Sequence, residues 1–470
     1  MEEAIVLYPS PQIGHLVSMV ELGRLILKHQ PSCSVIIFIA NVPFSTGSTA
    51  AYLSHVSTTT SSIVFHHLPD VPFSPNCSSA SLEELAFEIP RLHNANVLQA
   101  LKNIGLKSRI KAVVLDFFCN AAFEVSSSDL GLPTYFFFTL GVSDLALPLH
   151  FPTLDKMLPD NLKDHKAALE IPGIPPIYTS DLPETTRHRT DKVYRATMEL
   201  AVQMTEASGI IVNTFEALEP RAMKAITDGL CTPNAPTPTL YCVGPLVANS
   251  NIHGYNGSVC YDELCLTWLD LQPSGSVVFL CFGSQGSFKD EQLKEMAVAL
   301  ENSGHRFLWV VRNRASEGEM ELNAILPEGF LERTAERGLV VKSWAPQGAI
   351  LNHDSVGGFV THCGWNSLLE ALLAGVPMVA WPLYAEQRLN KAFMVEEMRV
   401  ALPLAETEED RFVYAAELEK RVRELMESES KGGGMVIRER VMAFRDAAKA
   451  AVKENGSSHI ALAKLLQSWN

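Results

Sequence analysis

The chain has 470 residues, more than one ordinary hydrophobic core serves, so two domains are expected. Apolar residues make up 47% of it and charged residues 19%, which excludes a disordered chain. A formal charge of -15 excludes a nucleic acid as main partner, because such a surface repels phosphate backbones, yet it permits a local anion site built from backbone N–H groups.

In chain order, Ile5–Tyr8 is a short apolar run with no basic segment before it, so it reads as a strand and not as a signal peptide. Pro9–Gly14 is a turn, and from His15 to Lys28 apolar residues (Leu16, Met19, Val20, Leu22, Leu25, Ile26) recur at helical spacing. Ser34–Ala40 is a β-branched run of the type buried in a parallel sheet. Further strands are expected at Ile63–His66, Ala112–Asp116, Thr134–Phe138 and Ile210–Asn213. The proline-rich stretches Pro172–Pro176 and Pro233–Pro238 are loops, since proline joins neither a ladder nor a helix interior.

Val247–Val259, rich in Asn, Ser and Gly, reads as a linker. A second series follows, with strands at Val277–Phe282, Phe307–Val311, Val340–Lys342, Gly358–Thr361 and Met378–Ala380. Amphipathic helices are expected at Val413–Ser428 and Val436–Glu454, separated by Gly432-Gly433-Gly434. The alternation implies an α/β protein with two domains and largely parallel sheets. The expected division is 1–246, linker 247–259, 260–454, and a C-terminal helix in 455–470 that packs back on the first domain. Ligands of such sheets lie beyond the carboxyl ends of the strands.

The charge-free stretch between Glu370 and Glu386 is broken by Gly375, Pro377 and Pro382 and falls short of the ~20 residues a spanning helix needs, so no membrane span is expected. Nine scattered cysteines without zinc-site spacing read as reduced thiols of a cytoplasmic protein. There is no Gly-Lys pair and hence no Walker A loop, and the turn after the first strand is not G-x-G-x-x-G, which weakens a dehydrogenase reading.

The segment from Trp344 to Gln387 is the richest in chemistry. His362-Cys363-Gly364-Trp365-Asn366-Ser367 turns from a buried strand into a helix, and helix N-termini favour anions such as a diphosphate. Gly364 lets the backbone approach closely, and His362 at the strand end can donate to a phosphate oxygen. Glu370, one turn past Asn366, can accept from a ribose diol; Trp344 offers a flat surface for a base; Glu386 and Gln387 suit sugar hydroxyls. Each has a plain structural counterpart when taken alone: a packed histidine, a core aromatic, a helix cap at Ser367, a solvated carboxylate.

Taken jointly, Trp344, Pro346, Gln347, His362 to Ser367, Glu370, Gly375 to Pro377, Trp381-Pro382 and Glu386-Gln387 resemble the signature box of plant family 1 UDP-glycosyltransferases. The resemblance extends along the chain, including the opening strand–Gly-His turn and Phe282-Gly283-Ser284, and is looser for the branch acting on flavonoids and related phenols. It implies two facing Rossmann-like domains (GT-B), UDP-glucose as donor substrate, no cofactor or metal, small-molecule partners only, and a monomer by default.

By that likeness Trp344 stacks on uracil, and Ala345 and Gln347 contact uracil or ribose, while Glu370 binds the ribose hydroxyls. Ser284, His362, Gly364, Asn366 and Ser367 would hold the diphosphate; Trp365, Glu386, Gln387 and Thr139 would hold the sugar. Trp365 and Gln387 resemble the residues of glucose users. The likeness makes His15 the base, with Asp116 fixing its tautomer. Gly14, Ile89 and Phe118 are the candidates for the acceptor wall. The expected reaction is inverting O-glucosylation of a phenol such as a flavonoid. C-glycosylation and non-catalytic binding of a UDP-sugar or phenol are the alternatives.

Overall fold

The computed structural model describes residues 2–42, 48–72, 80–158, 160–248, 259–312, 321–342, 344–427 and 433–469. Most of the expected linker, residues 249–258, lies outside them. The chain divides into two units, one formed by residues 1–248 with 448–470 and the other by 249–447.

In the first unit seven strands form one parallel sheet. They are β1 (Glu2–Tyr8), β2 (Ser34–Ile39), β3 (Ile63–His67), β4 (Ser108–Asp116), β5 (Thr134–Phe138), β6 (Gly209–Val212) and β7 (Leu240–Cys242), in the spatial order β3-β2-β1-β4-β5-β6-β7. Ala4–Tyr8 of β1 and all of β5 are buried, as expected of strands covered on both faces. Helix Ile13–His29 turns Leu16, Met19, Val20, Leu22 and Ile26 inward. The last helix, Ser457–Gln467, packs on β7. There the Ser458 hydroxyl donates to the Gly244 carbonyl (2.6 Å), and the Tyr135 and Ser468 hydroxyls lie 2.9 Å apart.

The second unit holds six parallel strands: β8 (Val277–Cys281), β9 (Arg306–Val311), β10 (Gly338–Lys342), β11 (Val356–Thr361), β12 (Met378–Ala380) and β13 (Ala401–Pro403), ordered β10-β9-β8-β11-β12-β13. Each unit is thus a doubly wound, Rossmann-like sheet. The strand order reverses between β1 and β4 in the first and between β8 and β11 in the second, and ligands bind at such switch points.

Two strands, β7 and β13, have no counterpart in the sequence reading. Both are three-residue edge strands that show too little pattern to register. β13 ends in Pro403, which an edge tolerates because one side of the strand needs no donor. The second C-terminal helix runs Gly433–Ala451 and takes in two of the glycines read as a break. Gly434 fits there because a Cβ would lie 2.3 Å from the Glu424 carbonyl oxygen. Among the described residues no helix is long and apolar enough to cross a membrane, and no group of His, Cys, Asp and Glu could hold a metal. The seven described cysteines are all buried free thiols.

Candidate active site

Each switch point carries its own set of polar residues. In the first unit, Asp116 is the last residue of β4 and caps the short turn Phe117–Cys119: its Oδ1 accepts the Phe118 N–H at 3.0 Å. His15, in the first turn of the helix after β1, places Nδ1 2.7 Å from Asp116 Oδ2. Asp116 is wholly buried and His15 is 14% exposed. A carboxylate in that position needs both N–H partners to offset its lost hydration. It can only accept, so the bond puts the imidazole proton on Nδ1 and the lone pair on Nε2.

Thr139, expected among the sugar contacts, follows β5 and sets its hydroxyl 3.2 Å from the same Nδ1. Phe117 and Phe118 tilt against the imidazole with ring centres at 5.5 and 5.3 Å. Phe118, half-buried, also meets Phe87 edge-on at 4.9 Å. Ile89 lies on the same helix as Phe87, Leu82–Leu92, and is buried in its core face; Gly14 accepts the Ser18 hydroxyl at 3.1 Å. The imidazole–carboxylate pair therefore stands beside a half-open aromatic wall.

In the second unit the loops after β8, β11 and β12 converge through their backbones. Gly283 has φ +72°, and a Cβ on it or on Gly364 would lie 2.5 Å from His362 Nε2. Only glycine at both positions lets the imidazole sit between the β8 loop and the helix start. Burial lowers the pKa of His362 to about 4, with only partial offset from the Cys281 carbonyl, so the ring is neutral at physiological pH. Cys363 adopts the left-handed φ of +67°, at a cost of about 1–2 kcal/mol for a residue with a Cβ. Gly364 then caps helix Trp365–Ala374, which places Trp365, Asn366 and Ser367 in its first turn.

Gln347 joins two of the expected contacts. Its Nε2 donates to the Ser367 hydroxyl (2.9 Å) and to Glu370 Oε2 (2.6 Å). Burial raises the Glu370 pKa to about 7 against the lowering effect of that amide. Trp344, half-buried, and Ala345, buried, lie just before the helix Gln347–Leu351. Ser284 is exposed, and its carbonyl accepts from the Arg312 guanidinium. Trp381 holds the β8 and β12 loops together through Phe282 and Phe288, with ring centres at 5.5 and 5.0 Å. Glu386 precedes helix Gln387–Ala392, and Gln387 Oε1 accepts the Leu383 and Tyr384 N–H groups at 2.9 and 3.1 Å. Sequence reasoning missed the left-handed conformation of Cys363, the guanidinium of Arg312 after β9 and the buried Asn390 on helix Gln387–Ala392; only their backbone conformation and contacts, not their residue type, mark them.

The family model described as "UDP-glucoronosyl and UDP-glucosyl transferase" matches residues 244–432. The chain is 52% identical over 467 residues to UDP-glycosyltransferase 88B1 of Stevia rebaudiana, covering 99% of this chain and 98% of the relative. It is 48% identical over 483 residues to anthocyanidin 5,3-O-glucosyltransferase of a Rosa hybrid cultivar, covering 99% of each. The structure of Phytolacca americana UGT2 complexed with UDP-2fluoro-glucose and pterostilbene superimposes with a TM-score of 0.88 at 35% identity, again over 99% of both chains. The two doubly wound sheets, the signature residues after β10, β11 and β12, and identity of this extent over the whole length lead to one conclusion: this chain belongs to the plant UDP-glycosyltransferase family, enzymes of the GT-B fold.

Proposed function

We propose that this enzyme transfers glucose from UDP-glucose to a hydroxyl of a small phenol, flavonoids foremost, with inversion at the anomeric carbon and His15 as general base. The observation that carries the reading is the 2.7 Å contact between His15 Nδ1 and a fully buried Asp116. With Nδ1 protonated, Nε2 takes the phenolic proton while the oxygen attacks the anomeric carbon from the side opposite UDP. The new C–O bond forms as the bond to the β-phosphate oxygen breaks, and UDP departs with the electron pair. Asp116 stabilises the resulting imidazolium.

His362, neutral in its buried setting, acts as a hydrogen-bonding partner of the diphosphate and not as a cation. The N-terminus of helix Trp365–Ala374 supplies the favourable potential for the leaving group. Trp344, Ala345, Gln347 and Glu370 take the uridine, Ser284, Gly364, Asn366 and Ser367 the diphosphate, and Trp365, Glu386, Gln387 and Thr139 the sugar. Gln387 spends its side-chain carbonyl on the loop, so its NH2 is the group offered to a sugar oxygen. The acceptor rests on Phe118, with Gly14 and Ile89 behind it. The wall of aromatic rings at His15 supports a phenolic acceptor, as do the anthocyanidin named for one relative and the pterostilbene held in a related structure. The buried free thiols support a reducing, cytoplasmic setting.

The test is UDP release from UDP-glucose with a panel of phenols, comparing the native enzyme with His15→Ala. The variant is expected to lose at least ~10³-fold in kcat. Equal turnover in the two would remove His15 as base, and no turnover with any phenol would favour a binding protein. A product that resists acid hydrolysis would identify a C-glycoside in place of the O-glucoside.

A further inference from the structure

We infer that Asn390 is a positioning residue for the diphosphate, acting through the Cys363 peptide. The inference deepens the proposed function and rests on its placement of the diphosphate at helix Trp365–Ala374. Asn390 is fully buried on helix Gln387–Ala392, outside the signature segment. Its Nδ2 donates to the Cys363 carbonyl at 2.9 Å, and its own Oδ1 is buried with no partner among the described residues. An amide that leaves its acceptor unmet at such cost is retained for its donor. The opposite orientation of the amide would set oxygen against oxygen.

Cys363 is the residue that must enter the left-handed region for the chain to turn from β11 into the helix, and Gly364 follows it as cap. A peptide group that shows N–H to an anion must send its neighbouring carbonyls elsewhere, since a carbonyl oxygen facing a phosphate repels it. Asn390 draws the Cys363 carbonyl into the interior and so holds the strained turn in the one arrangement that leaves donors toward the anion. The Cys363 N–H is held in turn by the Thr361 hydroxyl at 3.4 Å. Because the Asn390 backbone N–H donates to Glu386 at 3.0 Å, the same helix that starts at the sugar-contacting Gln387 also fixes the diphosphate turn.

Asn390→Asp keeps the shape and removes the donor; Asn390→Ala removes both. Equilibrium binding of UDP and of uridine is measured for each, by calorimetry, on the full chain. The expected result is a loss of about 10-fold or more in UDP affinity with uridine affinity unchanged within about twofold, because only UDP carries the diphosphate. Asp is expected to lose more than Ala, since it sets a charge against the carbonyl. Unchanged UDP affinity in both variants overturns the inference, as does an equal loss of UDP and uridine, which would make Asn390 a residue of the fold. Ser367→Ala in the same assay separates this from failure of the underlying reading. If neither Ser367→Ala nor the Asn390 variants change UDP affinity, the placement of the diphosphate on that helix fails with the inference; if Ser367→Ala weakens UDP and Asn390→Asp does not, the Asn390 inference alone fails.

Discussion

The two switch points share one topology and solve opposite problems. At β1/β4 the polar atoms belong to side chains: an imidazole, a buried carboxylate and a hydroxyl that meet at a single nitrogen. At β8/β11 the backbone dominates, through two glycines pressed on His362, a left-handed cysteine and a helix start. A proton acceptor needs a tuned titratable group, and an anion site needs fixed dipoles. On the proposed function, the same fold hosts either chemistry according to whether the loop after the strand offers side chains or peptide groups.

The comparison breaks most visibly at Asp116. Asp116→Asn keeps the contact but can force the His15 proton onto Nε2, and kcat is expected to fall by about 10²–10⁴ with UDP affinity unchanged. If UDP binding falls equally, the two switch points are not separate in function. A smaller effect is expected from Glu370, whose pKa near 7 follows from burial. On the proposed contact, the ribose diol donates best to the ionised form, so uridine affinity is expected to rise about 10-fold between pH 5.5 and 8, with Glu370→Gln flattening that profile. The sign of the linkage is opposite for the unliganded fold. A carboxyl whose pKa is raised contributes stability below its ordinary range near 4.5, and that contribution is lost as pH climbs through 7. Thermal unfolding of the free protein against pH, with and without Glu370→Gln, checks it. The smallest effect is expected at Thr139: Thr139→Val removes one 3.2 Å contact to a nitrogen already held by Asp116, lowering kcat about two- to fivefold.

Much of both sheets was legible because buried parallel strands are near-continuous apolar runs. β1, β5, β8 and β12 match their expected spans within three residues at either end. Two of the four edge strands were not: β7 and β13 are held by their neighbours' ladders and not by any pattern of their own, whereas the edges β3 and β10 were expected. The signature residues proposed for the site lie in the loops and helix starts after β10, β11 and β12 because the signature is one run of chain. What the run could not tell is which side chains meet. His15, Asp116 and Thr139 are brought together across β1, β4 and β5 from positions 15, 116 and 139, a long-range pairing with no sequence period. Nor could residue types disclose that His362 is wedged between glycines or that Asn390 serves Cys363, since these depend on φ and on contact.

One further consequence follows from the route of the chain. The first unit includes residues 448–470, whose helix lies on β7 and whose Ser458 is tied to Gly244. During synthesis the first unit emerges early but stays unfinished until the whole second unit has left the ribosome. The face of β5 and β7 that this helix covers is bare for that interval, the kind of surface on which nascent chains stick to one another. Shortening the tail therefore harms the half made first.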